Sequence, residues 1–443
     1  MRNTDSAFFL TGRVMKFRFV VFIVSCFGTV SVAQPLSLQD LVTFGLKNAS
    51  GLRQQTLLHK NHELDLNIAK SAFWPSLQFT SKHGIADSKP QAKPKPHLSQ
   101  FSVGLSQSLF NNFIDSHARD AAAFRVEKSA IDIKNQTSQL ISNIHQAYFN
   151  FSRDQALLQS ARKKHDLTAA QFKIIEKSYK SGFKPQTDFL RFKAQFQRSL
   201  IKIETLKHQV AVSRKSIATL IGQPPEGKLE VTPHQPDFKD LPQVTDLSVD
   251  YKNHYQVSAS KLEENIVTEQ AAIDRLKKWP QVTLNVEGSY GAEDYMGYDR
   301  SISETDLTTW TVYVGISFPL YDGGKSADQF EKSVNNKLSA IESTKNAQRE
   351  VHEEGQNLLE SIRLNIATAK LHLDLLKLEE NNFSLLQKKY RQGQVNILEL
   401  TTALENFELA KNNYIRTYFQ LLTHKAKLWH FQRKFAGSRQ TIL

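Results

Sequence analysis

A single cysteine, Cys26, stands in 443 residues, so disulfides and thiolate chemistry are excluded from whatever this chain does. Proline is confined to boundaries: none lies between Pro96 and Pro185, and none follows Pro319. Because proline removes a backbone donor and clashes with the preceding turn, these long gaps leave two tracts in which no residue forbids a helix. Reactive motifs are missing as well. Gly323-Gly-Lys-Ser326 resembles a phosphate loop, but that loop needs glycine where this chain has Pro319. His352-Glu353-Glu354 lacks the second histidine of a zinc helix, and no serine elbow or dinucleotide fingerprint occurs. An enzyme is therefore not expected, nor a cofactor, a metal site or a catalytic residue.

Long apolar runs are equally scarce. The one candidate, Phe19 to Val24 continuing weakly to Val32, follows Met15-Lys-Phe-Arg18 and has the form of a secretory signal. Ser31-Val32-Ala33 supplies the small residues of a cleavage site, so residues 1–33 read as a signal peptide removed after Ala33. The competing reading is a lipoprotein box at Ile23-Val24-Ser25-Cys26, leaving an acylated Cys26. Met1 and Met15 are both candidate starts. No other stretch is long and apolar enough for a membrane-spanning helix. The formal charge of +13 falls to +10 once four basic and one acidic residue leave with the signal. In an exported protein this surplus fits solvated helix faces and anionic lipid better than nucleic acid.

What the chain does have is a duplication. Trp74-Pro75 recurs as Trp279-Pro280, Leu109-Phe110 as Leu320-Tyr321, and Tyr179-Lys-Ser-Gly182 as Tyr390-Arg-Gln-Gly393, at steps of 205, 211 and 211 residues. A whole strand-strand-helix-turn-helix unit is repeated, not a short motif. The copies are expected at 34–222 and 245–432, joined by a five-proline linker at 223–244 lying against the helices and followed by a C-terminal tail at 433–443 that is loose after Phe435. In each copy two strands alternate between apolar and small polar residues, as in Val282, Leu284 and Val286 against Thr283, Asn285 and Glu287. The pattern places strands near 75–83, 98–110, 280–290 and 308–320. Such alternation also suits a soluble sandwich. Strand length, a polar face of Gly, Ser, Thr and Asn, and long polar connections at Ile85 to His97 and Gly291 to Leu307 favour a membrane barrel instead.

Beyond the strands the period becomes helical. Leu359, Ile362, Ile366, Ala369, Leu373, Leu376 and Phe383 fall on three- and four-residue steps, with Glu380 the one polar interruption, the seam of a coiled coil. Helices are expected near 37–72, 113–181 and 185–221 in the first copy and near 246–278, 325–391 and 395–432 in the second. The longest span roughly 100 Å at 1.5 Å per residue, and each equals two shorter helices end to end. Four strands cannot close a barrel, since the smallest bacterial ones have eight, so copies must pool their strands. Dimers would supply eight and trimers twelve.

Trp-Pro at 74 and 279, Ile316-Ser-Phe-Pro-Leu-Tyr-Asp-Gly-Gly324 entering a long helix, and Tyr390-x-x-Gly393 followed by Ile397-Leu-Glu-Leu400 resemble the TolC family of outer-membrane channels over nearly the whole mature chain. The resemblance implies a mainly α fold with a small β part: a homotrimeric α-helical periplasmic tunnel capped by a 12-stranded transmembrane β-barrel, four strands per protomer. It further implies an outer-membrane exit duct of a Gram-negative tripartite efflux or type I secretion system, passively exporting what an inner-membrane transporter and a periplasmic adaptor deliver. By position, Thr187, Asp188 and Tyr390 match a latch closing the periplasmic end, and Glu399 matches an acidic ring at the entrance. Thr402 stands where a second acid would be, and Val395 where a basic latch residue would be. Gly182, Phe183, Gly393 and Gln394 mark the hairpin tips at which an adaptor would dock. Asp188 and Glu399 equally suit the first turn of a helix, where acids complement the dipole. The competing function is a secreted coiled-coil scaffold or adhesin with a soluble sheet. Cargo, whether drug, metal ion or polypeptide, is not legible.

Overall fold

The computed structural model describes residues 35–85, 96–224, 227, 229–244, 247–295 and 306–436. The expected signal segment with Cys26, the centres of both strand-connecting segments and the tail beyond 436 lie outside the described residues. The elements run α1 (Leu38–Asn48), α2 (Ser50–Ser71), β1 (Ser76–Ile85), β2 (Pro96–Phe110), α3 (Ile114–Lys180) and α4 (Gln186–Leu220). The second copy supplies α5 (Tyr255–Leu276), β3 (Gln281–Tyr295), β4 (Asp306–Ser317), α6 (Lys325–Arg391) and α7 (Ile397–Phe431). Duplication is visible in the lengths: α3 and α6 both have 67 residues, and α4 and α7 both have 35.

The long helices are held together by a narrow buried stripe and by small residues that let backbones approach. In α6 the apolar stripe of three- and four-residue steps is the buried face, with Ile362 and Ala369 fully inaccessible and Leu359, Leu373 and Leu376 nearly so. In α3, Ile141, Ile144, Tyr148, Phe151 and Leu158 are buried in the same way. Near the sheet, α3 packs on α2 and α5; farther away it packs on α4 and α7, so short helices are stacked along a long one. The main core lies midway, where Leu41, Ile144, Phe149, Ile217, Tyr414 and Phe419 from four helices are inaccessible.

A strap closes this core from outside. Leu36 pairs with Val231 in a parallel bridge, Leu36 N donating to the Glu230 carbonyl at 2.9 Å and Thr232 N to the Leu36 carbonyl at 3.1 Å. The Tyr148 hydroxyl donates to the Thr232 carbonyl at 3.0 Å, and His234 N donates to Ser152 Oγ at 3.0 Å. Phe435, beyond α7, is also buried in this core.

Two helices differ from the sequence reading. The span 37–72 is broken at Ala49, whose backbone is extended (φ −61°, ψ 116°). On one side α1 drives Leu38, Leu41 and Gly45 into the central core; on the other α2 buries no residue. The two segments face different surroundings, so the chain turns between them. The span 246–278 begins its helix only at Tyr255. Asp250 Oδ1 accepts from Lys252 N and Asn253 N at 3.1 and 3.3 Å, and His254 caps α5 through Gln256 N at 3.4 Å. That local turn competes with helix, while Leu247 and Val249 pack on Leu359, Ile362, Leu421 and Leu428. The strands also extend farther than read, β3 to Tyr295 and β2 from Pro96, while β4 stops at Ser317 ahead of Pro319.

The four long-helix ends use paired tight turns. At the far tips Gly182 and Gly393 each take φ +75°. Phe183 N donates to the Ser178 carbonyl and Gly182 N to the Tyr179 carbonyl, both at 2.9 Å; Gln394 N and Gly393 N repeat this on Lys389 and Tyr390 at 3.0 Å. These are two Schellman turns, and the duplicated Tyr-x-x-Gly is their sequence signature. Left-handed backbone costs a residue with a Cβ about 1–2 kcal/mol. Gly182→Ala and Gly393→Ala are each expected to lower stability by about that amount, read as an earlier urea midpoint of the helical circular dichroism signal.

Burial also sets an acid limit. His145, His254 and His430 are pushed down to about 4 by desolvation, with Arg433 adding to the effect at His254 and His254 at His430. Their folded forms are neutral while the unfolded chain binds protons below about 6.5, so their contribution is complete above that pH and is lost as pH falls from about 6.5 to about 4. A loss on the order of 2 kcal/mol per histidine is expected. Melting of the detergent-purified protein across this range measures it, and His430→Gln should flatten the slope.

Candidate functional site

Two regions have the makings of function: the sheet at one end of the helices and the hairpin tips at the other. The sheet has the order β1-β2-β3-β4, antiparallel throughout. Its register lines up one face. Leu77, Leu105, Val286 and Val312 form one row, and Phe79, Val103, Gly288 and Trp310 another. The opposite face carries Ser76, Ser106, Asn285 and Tyr313 in a row, then Gln78, Gly104, Glu287 and Thr311. Ser106 Oγ donates to Asn285 Oδ1 at 2.9 Å, and the Ser289 and Thr309 hydroxyls lie 2.6 Å apart. One bulge interrupts the pattern between Ser108 and Phe110, leaving Leu109 without a partner opposite.

Among the described residues no helix covers the apolar face. Trp310 is 79% exposed, Leu77 73% and Ile316 69%, values that a soluble sandwich would not leave. Where strands meet helices, Trp74, Trp279, Leu320 and Tyr321 are likewise exposed, a belt that suits the water-hydrocarbon interface. Each of β2 and β3 has 15 residues, above the roughly 9–11 that cross a bilayer at a tilt. Both outer strands, β1 and β4, have one free edge within the chain. The strand-to-helix junctions are duplicated in backbone as well: Asn112-Phe113 and Gly323-Gly324, 211 residues apart, all have positive φ. Asn112 Nδ2 fixes the first junction by donating to the Pro280 carbonyl at 2.7 Å.

At the other end the two hairpins meet. Ile175 of α3, Phe192 of α4 and Ile397 and Leu400 of α7 form one buried cluster, with Phe172, Phe383, Leu386 and Tyr390 packed on it. Thr187 and Asp188 occupy the first turn of α4, Glu399 and Thr402 the first two turns of α7, and Tyr390 the last turn of α6. All five candidate residues therefore stand at one end of the bundle. They are not bonded to one another. No hydrogen bond between Asp188 and Tyr390 occurs among the described residues. Glu399 serves its own helix, its N–H donating to Asn396 Oδ1 at 2.9 Å and its Oε1 accepting from Asn396 Nδ2 at 2.8 Å. The Thr402 hydroxyl donates to the Leu398 carbonyl at 3.0 Å. At the tips Gly182, Gly393 and Gln394 are exposed and Phe183 is 83% exposed.

Behind the tips lie links between the hairpins that the sequence reading missed. Ser160 Oγ of α3 donates to Glu408 Oε2 at 2.8 Å, and Gln195 Nε2 of α4 donates to Glu405 Oε1 at 3.1 Å. Glu408 is 3% exposed. Its signal was position: it follows Leu400 and Leu404 at four-residue steps, a phase that points inward. Among the described residues no group of acidic, histidine or cysteine side chains is arranged to hold a metal.

Comparison with known proteins agrees with this geometry. The family described as "Outer membrane efflux protein" matches residues 45–223 and 251–430, which are the two copies. The curated relative Nodulation protein T of Rhizobium leguminosarum bv. trifolii is 22% identical over 369 residues, covering 78% of this chain and 77% of its own length. Among solved structures, the CmeC outer membrane channel of Campylobacter jejuni superposes with a TM-score of 0.79 at 12% identity, over 89% of this chain and 85% of that one. The outer membrane protein VceC of Vibrio cholerae gives 0.77 at 14% identity, over 91% and 97%. Likeness at these identities establishes a shared fold, and the match of both repeats establishes kinship: the chain belongs to the outer membrane efflux protein family, a family of outer-membrane channels with a large periplasmic helical part.

Proposed function

We propose that three copies of this chain assemble into a passive exit duct, twelve strands closing in the outer membrane and the helices continuing the passage through the periplasm. The carrying observation is the sheet: four strands with a bare apolar face and two open edges. Each unpaired backbone group costs several kcal/mol in hydrocarbon, so the edges demand strands from further copies. Three copies supply twelve strands, the number the resemblance to the TolC family implies. Nothing in the chain offers an energy source, so cargo arrives from an inner-membrane pump through a periplasmic adaptor.

In this reading the hairpin ends form the periplasmic aperture. Asp188 and Tyr390, unbonded within one chain, are latch groups for the neighbouring hairpin, with Thr187 beside them, and Glu399 and Thr402 narrow the entrance. The tips at Gly182, Phe183, Gly393 and Gln394 are the docking points for the adaptor, since an exposed end is where a partner can seal a tunnel.

Assembly is tested by heat-sensitive oligomer migration from an outer-membrane fraction; a folded monomer in detergent-free buffer would refute it. Asp188→Ala with Tyr390→Phe is expected to raise single-channel conductance in planar bilayers, and unchanged conductance would reject the latch. Once the leader is cleaved the chain has no cysteine, so Phe183→Cys and Gln394→Cys allow crosslinking in cells. Adaptor capture is expected from these tips and not from mid-helix positions on α6.

A further inference from the structure

Resting on the duct reading, we infer that the periplasmic entrance is an anion-attracting cuff, so that the cargo class this channel favours is negatively charged solutes. Residues 173–193 carry six Lys or Arg against two Asp or Glu, and residues 388–399 carry three against one. The cluster of Ile175, Phe192, Ile397 and Leu400 packs both segments together at the same end, so these charges share one rim. Lys177, Arg191, Lys388, Lys389 and Arg391 are exposed, and Lys184 is half-exposed.

Three acids, Glu176, Asp188 and Glu399, stand against nine bases in these segments. Glu176 pairs with Lys180 at 2.9 Å, so those two cancel, while the Asn396 amide that binds Glu399 at 2.8 Å leaves its charge in place; the surplus remains basic. The duplication sharpens the point. At the 211-residue step Asp188 corresponds to Glu399, and one turn on Arg191 corresponds to Thr402. The second layer of the rim is thus neutral in one copy and basic in the other. Three chains multiply the surplus around one opening, and charges within a Debye length of about 8 Å act on ions entering it. A mouth of one sign concentrates counter-ions whether a given side chain faces the passage or its lip.

Lysines in the last turn of a helix also complement its dipole, and that alone would account for Lys177, Lys388 and Lys389. It does not account for Lys184 between the helices or for Arg191 in the second turn of α4. The two explanations part in an electrical measurement.

The purified full-length channel is placed in a planar bilayer under an asymmetric KCl gradient. Chloride is expected to permeate several-fold better than potassium. Two variants test the cause: Lys388→Glu/Lys389→Glu/Arg391→Glu at the end of α6, and Lys184→Glu/Arg191→Glu at the start of α4, each checked for heat-sensitive oligomer migration. Both are expected to move the reversal potential toward potassium. A channel that conducts but prefers potassium, or whose reversal potential ignores both variants, overturns the inference and leaves the duct standing. Variants that lose adaptor crosslinking while their reversal potential stays fixed also overturn it, assigning the basic rim to an acidic partner protein. A protein that forms no conducting pore refutes the duct itself, and with it this inference.

Discussion

The backbone of a strand edge in hydrocarbon has nowhere to send its hydrogen bonds, and the rest of this protein follows from that. A helix satisfies its own amides; a sheet must borrow a neighbour. This chain makes four strands, enough to present a lipid-facing surface of Leu77, Trp310, Val314 and Ile316 and too few to bring β1 and β4 together. The single chain therefore leaves the sheet open, and on the proposed reading copies meeting edge to edge complete the outer-membrane part.

The same requirement reaches into the helices. If strands are shared around a ring, the helices beneath must share the same ring, which explains why α3 and α6 have equal length, as do α4 and α7. Stacking two short helices along one long one keeps the wall continuous without proline or glycine inside the 67-residue columns forcing a kink; Gly355, the one glycine within them, sits where a Cβ would stand 2.5 Å from Tyr251. Among the described residues the broadest core lies in the middle of the bundle, and the strap at 229–244 and Phe435 pack on it. Beside the buried stripe of α6, Leu364, Leu371 and Leu378 are more than 60% exposed. A wall made of separate chains needs such faces.

Much of this was legible because duplication and period are strong signals. Trp-Pro, Tyr-x-x-Gly and the heptad run from Leu359 to Phe383 mark boundaries and a buried face without any contact being known. Where reading failed, the deciding forces were local or tertiary. Ala49 is an ordinary helix former, and the break there follows from α1 having a core to enter and α2 having none. Asp250 and His254 set the start of α5 through hydrogen bonds that no periodicity reports. The β2 bulge at Leu109 is invisible to a two-residue alternation. Glu408 was hidden because a charged residue reads as solvated, although its phase with Leu400 and Leu404 pointed inward. The hairpin-end residues were readable as a location and not as an interaction: Asp188 and Tyr390 share an end of the bundle while neither bonds the other.

That last point bears on how such an aperture can work. Within one chain, Glu399 is taken by Asn396, Thr402 by Leu398, and the two hairpins are already joined by apolar packing and by Ser160 to Glu408 and Gln195 to Glu405. A protomer is thus a rigid pair of hairpins whose internal bonds need not change. On the proposed duct reading, opening falls at the contacts between protomers, where exposed polar groups on neighbouring tips would meet in water and each exposed pair is worth about 1 kcal/mol or less. A few such bonds around a ring would suffice to hold the proposed aperture shut and still let it go when a partner offers alternatives. The division of labour is between strong, buried links that define the hairpin pair and weak, solvated ones that set its position. The passive duct proposed above requires that division.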